Sequence, residues 1–244
     1  MPALSDVVAF QGAVDDVSTL SLADLVRWWR LQDLADPVGV AVAVRDFVPA
    51  VVDSYAPLSA EVAASFYDQS RAAANVAGGF VADLAPARNA DVLQQMISWA
   101  VAPLFRVDPV TDVPAPDAGL GLSRLSSGTQ LEVAGSARDT IDLNVQADRV
   151  GQPRFARHAS SNACAFCALM ATRGAVYRTV GSKFHAHCHC VSYPVFPGER
   201  DDSPPYVLTW EQAYRDARKA ARRAGITPDL KGVLPFMRQS LGAA

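Results

Sequence analysis

All four cysteines and all four histidines of the chain lie within one stretch of 33 positions: His158, Cys164, Cys167, His185, His187, Cys188, His189 and Cys190. Thiolate and imidazole are strong ligands for zinc. A C-x2-C pair, a spacer and then H-x-H-C-H-C is the layout of a small metal-clipped knuckle. The pair Cys164-Ala-Phe-Cys167 lets one tight turn present two thiolates to a tetrahedral ion, and the second half offers five candidates for the two positions left. In an extended segment Cys188 and Cys190 share one face, while His185, His187 and His189 take the other. That geometry yields a site of four cysteines. A turn at Ala186–His187 lets His185 replace one of the last two, giving three cysteines and one histidine. No carboxylate occurs in the window to act as a general base, so a closed structural zinc site is favoured over a catalytic one. The H-x-E and P-C-x-x-C pieces of a zinc deaminase are absent. Ser160, Ser161 and Ser182 lie near histidines in sequence, yet no G-x-S-x-G elbow surrounds them. The competing reading is a set of reduced, buried cysteines with incidental histidines.

Charge divides the chain. The net charge is −3, but residues 1–105 hold 12 acidic side chains against 5 basic ones. From Arg149 to Pro197 there is no acid at all, whereas Arg149, Arg154, Arg157, Arg173, Arg178 and Lys183 are basic. This polarity fits a protein with two partners, one of them nucleic acid. It fits equally well a cluster of thiolates balanced by nearby arginines. Half of the residues are apolar, so disorder over most of the length is excluded. No apolar run is long enough to span a bilayer, and the start Met-Pro-Ala-Leu-Ser-Asp lacks a basic n-region. A membrane span and a signal peptide are therefore not expected. Four cysteines in a reducing cytosol point to metal ligands rather than disulfides.

The elements that must position these groups read as mainly α: an N-terminal helical bundle, a small zinc-knuckle and β-ribbon module, and C-terminal helices. Residues 1–105 form the acidic bundle. Ser21-x-x-Asp24 caps a helix through Leu25 and Trp29. An apolar segment from Val38 to Tyr55 stops at Pro57, Ser59 opens the next helix, and Asn89 caps another through Val92 and Met96. Trp28, Trp29 and Trp99 read as core or interface aromatics. Residues 106–118 hold three prolines and no helical stripe, and the Pro/Gly/Ser-rich stretch 106–128 reads as a linker. Thr129-x-x-Glu132 is a capping box that starts a helix leading into the cluster, so that 129–198 is one helix plus the basic metal module. Within it, Ala175–Val180 and Cys190–Phe196 are β-rich runs bracketing Gly181-Ser182, which predicts a two-stranded ribbon. Residues 199–244 read as basic C-terminal helices. Thr209-x-x-Gln212 opens the first, with Trp210, Tyr214, Ala217 and Ala221 on one side and Arg215, Arg218, Lys219, Arg222 and Arg223 on the rest; Gly225 ends it. Thr227-Pro228 starts a last helix that Pro235 interrupts or kinks. The five basic residues are the candidate nucleic-acid contacts, binding double-stranded DNA without sequence preference.

The run Cys164-Ala-Phe-Cys167-Ala-Leu-Met-Ala-Thr-Arg173-Gly174-Ala-Val-Tyr177, then His185-x-x-Cys188-x-Cys190 and Tyr193-Pro-Val-Phe196, resembles tailed-phage head-morphogenesis proteins of the phage Mu F type, in the form found in phages of actinobacteria. Ala137-Arg-Asp-Thr-Ile and Asp229-Leu-Lys-Gly-Val-Leu are similar too, so the likeness covers residues 129–240. It implies a minor capsid protein in the virion, assembled in the bacterial host cytoplasm, partnered with the portal or major capsid protein and acting in head assembly, DNA packaging or ejection. It also assigns the zinc-ligand role to Cys164, Cys167, His185, Cys188 and Cys190, whereas His187 and His189 occupy variable positions. Related phage proteins are also described as capsid maturation proteases, which is the rival reading, although no triad for it is visible in the sequence. A zinc-containing DNA-binding regulator is a second alternative; no base-reading helix flanks the knuckle.

Overall fold

A computed structural model of the chain describes residues 2–176, 188–199 and 203–242. Over these it is mainly α-helical: α1 (Leu4–Trp29), α2 (Pro37–Ala73), α3 (Ala90–Val101), α4 (Ala118–Ala147), α5 (Ala165–Ala171), α6 (Pro205–Arg223) and α7 (Leu230–Leu241). One antiparallel pair, β1 (Arg154–His158) and β2 (Val191–Val195), is the sheet among the described residues. His185 and His187 lie outside the described residues, as do Tyr177–Val180, Gly181-Ser182 and Lys183. No helix among the described residues is long and apolar enough to cross a membrane.

The helices are longer than their local signals suggest, because burial overrides punctuation. Ser21 does not start a helix; it sits inside α1, where its hydroxyl donates to the Ser18 carbonyl at 2.7 Å. Pro57 does not stop α2, which runs for 37 residues through both Pro49 and Pro57. A helical proline leaves the carbonyl four residues back without its N–H donor. For Pro49 that carbonyl belongs to Arg45, and Gln94 of α3 reaches it with Nε2 at 3.4 Å. For Pro57 it belongs to Asp53, an exposed residue. The stripe Val40, Val44, Val48 and Val52 is fully buried along the same helix, and its packing outweighs the lost hydrogen bonds.

The largest correction concerns α4. It is capped by Asp117, whose carboxylate accepts the Leu120 N–H at 2.8 Å, so residues 118–128 are helix and not linker. Residues 106–117 instead form a tight excursion, with Val107 bridged to Pro114 and Asp108 accepting the Val110 and Thr111 N–H groups. Thr129 and Glu132 are buried inside the helix, and Glu132 pairs with Arg88 at 2.6 Å rather than capping anything. Likewise α6 begins behind Pro204, with Thr209 and Gln212 in its interior, and ends before Gly225 at φ +69°. The start of α7 is capped by Asp229, two residues beyond the Thr227 expectation, and Pro235 lies within it. Asn89 caps α3 as expected, accepting the Asp91 and Val92 N–H groups. Gly232 has a specific reason to be glycine: a methyl there would lie 2.1 Å from the Thr227 carbonyl oxygen.

The run at Cys190–Phe196 does form a strand, but β2 pairs with β1, in the register Arg154↔Val195 to His158↔Val191. Three cores follow from the packing. Leu25 and Trp29, the valines of α2, Leu93 and Ile97 of α3, and Leu125 close one end of the bundle. Phe10, Phe66, Tyr67, Ala137 and Ile141 meet Phe155, Val191 and Tyr193 in a second core, so the strands are packed into the helical bundle. The third gathers α5, α6 and α7 around Cys167, Cys188, Cys190, Trp210 and Met237. Trp28 stacks on Phe47, and Trp99 is half exposed beneath the guanidinium of Arg124.

Helix α4 is the axis of this arrangement, packed against α1, α2, α3 and both strands. It is unusually polar for a buried helix: Thr129, Gln130, Glu132, Arg138, Thr140, Asp142 and Asn144 are all buried. Burial, the neighbouring Asp139 charge and an offsetting attraction to Arg157 leave the Asp142 carboxyl titrating at about 7. Its unfolded value is 3.8, so the folded state holds an extra proton between these limits. The associated stability is complete below about pH 3.8 and is lost as pH rises through 7. Asp142→Asn should therefore be more stable than the parent by up to ~4 kcal/mol at pH 8, the difference closing towards pH 4. Urea denaturation across that range measures it; parallel stability curves for parent and variant would refute it.

Candidate metal centre

The first half of the site is built on α5. Cys164 is its N-cap, with Sγ accepting the Cys167 N–H at 3.4 Å. One turn on, Cys167 is turned into the third core and buried. The second half arrives on the segment entering β2. Cys188 and Cys190 are both buried, while His189 between them has its side chain 55% exposed. The alternation expected of an extended chain therefore holds at these three residues.

The Sγ atoms of Cys167, Cys188 and Cys190 all lie within 4.8 Å of one another, and those of Cys167 and Cys188 are 3.4 Å apart. The four cysteines are free thiols, with no disulfide among them. A tetrahedral ion with metal–sulfur bonds of about 2.3 Å separates its sulfurs by about 3.8 Å. The observed cluster is thus too open for a disulfide and close to what one ion needs. Three buried cysteines in this arrangement can hold a metal ion. Cys164 stands beside them through its contact with Cys167.

The thiols perturb one another strongly. Hydrogen bonding to Cys164, Cys188 and Cys190, reinforced by burial, pushes the Cys167 thiol up. Hydrogen bonds from Cys167 and Cys190 hold Cys188 well below the usual thiol range, against burial and with help from the Arg138 charge. For Cys190 the hydrogen bond from Cys167 acts downward, but Cys188 and burial prevail and its value rises. The three thiols thus share protons among themselves, with Cys188 shifted down and Cys167 and Cys190 shifted up. A metal would replace those shared protons.

Two arginines stand close by. Arg138 of α4 is buried, and its Nε donates to the Cys190 carbonyl at 3.0 Å while Nη2 donates to the Cys188 carbonyl at 2.5 Å. Arg157 of β1 is also buried, and its charge favours the Cys190 thiolate. The carbonyl between the two, that of His189, accepts Gln11 Nε2 of α1 at 2.5 Å. The His189 ring is held by Asp15 at 2.9 Å and lies 3.4 Å from Gln130. These anchors were invisible in the sequence. Gln11 and Arg138 lie 178 and about 50 positions from the carbonyls they bind, and only the packing of α1 on α4 brings them together. His158 is buried on β1, where desolvation pushes its pKa down.

The basic face expected on α6 is present but partly neutralised. Arg215 pairs with Glu211 at 3.4 Å, Lys219 pairs with Asp216 at 3.2 Å, and Arg218 lies half-buried over the Tyr214 ring. Arg222 and Arg223 are exposed, at the C-terminal end of the helix, where positive charge also complements the helix dipole. In the module, Arg149, Arg154 and Arg173 are exposed, whereas Arg157 faces inward; Arg178 and Lys183 lie outside the described residues.

The profile of the VG15 protein family matches residues 1–217, taking in the helical bundle, the cysteine cluster and most of α6. The chain belongs to that family. It is a family of viral proteins from phages. No curated protein and no solved structure matches the chain. The bundle and the cluster both lie within the matched span, with the basic end of α6 and all of α7 beyond it.

The ligand geometry makes one comparison decisive. Cys167→Ser or Cys188→Ser should abolish high-affinity metal binding, since each removes a buried sulfur from the cluster. His189→Ala should leave it within a few-fold of the parent, because that ring points away from the sulfurs. Metal content after purification under reducing conditions checks both. Loss of metal from His189→Ala equal to that from Cys167→Ser would overturn this assignment.

Proposed function

We propose that the chain is a phage minor head protein, resident at the portal or capsid, whose cysteine module is clipped by one structural zinc ion. Membership of a phage protein family across the bundle and the cluster carries the proposal. The order C-x2-C then H-x2-C-x-C, shared with Mu F-type head-morphogenesis proteins, narrows it to the head. Zinc suits the donor set: buried thiolates select soft or borderline ions, and a site enclosed by α5, α6 and α7 is closed rather than open to a reacting water. Cys164, Cys167, Cys188 and Cys190 are the simplest ligand set, with His185 as the alternative fourth ligand.

The surface offers two kinds of contact. Exposed Val38, Val42 and Phe105 line one groove at the far end of the bundle, a feature suited to a protein neighbour such as the portal or capsid protein. Exposed Arg149, Arg154, Arg173, Arg222 and Arg223 provide positive charge for duplex DNA passing through the head.

Proteomics of purified heads should find this protein in a few copies per particle, and a phage deleted for it should yield few or no infectious particles. Its absence from heads that contain portal and capsid protein would overturn the proposal. Duplex binding should be independent of sequence and fall steeply with salt. Replacing Arg222 and Arg223 with glutamine should make the slope of log K against log salt shallower by about 2. An unchanged slope would assign these two charges to protein contacts instead.

A further inference from the structure

We infer that Arg138 is the positioning residue of the metal centre: its forked guanidinium fixes the Cys188–Cys190 half-site through the two flanking carbonyls and places a positive charge against the metal-bound sulfurs. The inference rests on the metal reading above and extends it to a residue that touches no ion.

Two cysteines separated by one residue bind the same ion only if the intervening backbone is held extended, with both side chains on one face. A chain entering a short strand has no reason of its own to stay so. Here every carbonyl of the three-residue segment is capped from outside: Cys188 and Cys190 by Arg138, and His189 by Gln11. Gln11 and Asp15 lie one turn apart on α1, and Gln130 and Arg138 two turns apart on α4, so one face of each helix encloses the segment. Arg138 alone spans both ligand residues. Its planar fork matches two carbonyls in a way that a lysine ammonium does not.

Charge gives the second reason. A divalent ion held by three or four thiolates is a net anion, and an anion in a dry interior requires a fixed counter-charge. Arg138 is 2% exposed and is carried by a 30-residue helix, so its charge is preorganised beside the sulfurs. The α5 half of the site is built differently, by a helix cap packed on α6 and α7. The ion would therefore join a half-site owned by the N-terminal bundle to one owned by the C-terminal helices, with Arg138 setting the fit of the first.

The test uses the full-length protein and variants Arg138→Met, Arg138→Lys and Gln11→Leu. Zinc affinity is measured by competition with a chromogenic chelator, cobalt(II) substitution reports the sulfur-to-metal charge-transfer band, and the melting temperature is recorded with and without zinc. Arg138→Met should lose roughly 10–100-fold in zinc affinity, as supporting partners of metal ligands do, and should shift the cobalt band. Arg138→Lys, which keeps the charge without the fork, should recover part of the affinity. Gln11→Leu should lose less than Arg138→Met. A purely structural role would lower the metal-free melting temperature while leaving the gain on adding zinc unchanged; that result would overturn the inference. If Arg138→Met fails to fold, Arg138→Lys decides, and parental affinity with an unshifted cobalt band overturns it. Parental protein that takes up neither zinc nor cobalt would instead overturn the metal reading itself.

Discussion

A guanidinium removed from water must find both charge and hydrogen-bond acceptors inside the protein, and at Arg138 the acceptors are the backbone of the two cysteines that complete the cluster. This constraint ties together parts of the chain that have little else in common. Helix α4 must be buried deeply enough to deliver the group, which requires α1, α2 and α3 around it. The segment entering β2 must run alongside α4, which requires β1 as its partner and the core of Phe155, Val191 and Tyr193 beneath it. The sulfurs then project to the other side of that segment, where α5, α6 and α7 close over them. An apolar residue at 138 could fill the same volume but would leave three backbone carbonyls with one cap and the thiol cluster without its nearest charge on α4.

The interior polarity of α4 is a consequence of the same design. Its buried Glu132, Thr140 and Asn144 are joined by partners of the stretch before α3: Glu132 pairs with Arg88, Asn144 takes the Asp83 N–H and returns a bond to the Asp83 carbonyl, and Thr140 accepts the Ala85 N–H. Arg71, pairing with Asp148 at 2.9 Å just past the helix, directs its remaining donors to the Val76, Ala77 and Gly78 carbonyls. The long non-helical stretch between α2 and α3 is thus written onto α4 by side-chain to backbone bonds. Glu132, Thr140 and Asn144 thus hold the helix through satisfied polar contacts, whereas Oδ1 of Asp142 is buried without a hydrogen-bond partner among the described residues, consistent with its raised pKa.

That polarity also explains what the sequence hid. A Thr-x-x-Glu pattern reads as a helix start because free N–H groups usually need it; at Thr129 and Glu132 the residues are buried mid-helix and Glu132 answers Arg88 instead. The prolines of α2 read as stops because nothing local shows that Gln94 waits for the Arg45 carbonyl. Elements whose signal is local were legible: the Asn89 cap, the apolar side of α6, and the strand after Cys190. The cysteine half of the site was legible for the same reason, since spacing and alternation put Cys188 and Cys190 on one face and His189 on the other. Gln11, Arg138 and Arg157 were not, because residues that support a ligand from behind are defined by tertiary contact and leave no spacing of their own. The strand Arg154–His158 escaped notice because both its faces are covered, so its polar Arg157 and His158 break the alternation that marks a half-buried strand.

The charge division of the chain now separates into two physical tasks. Arg157, counted with the basic module in the sequence, is used internally beside Cys190, as is Arg138 beside Cys188. On α6, Glu211 and Asp216 absorb two of the five basic residues, and the Tyr214 ring covers a third. Among the described residues of the module and α6, what is left for a polyanion is therefore smaller than the sequence suggests, and it lies at the exposed end of α6, beyond the matched span of the family, and around Arg149, Arg154 and Arg173. A modest, scattered positive surface is poorly suited to holding one DNA sequence tightly. Under the role proposed above it would make weak backbone contacts with a duplex in transit, where strong binding would impede movement.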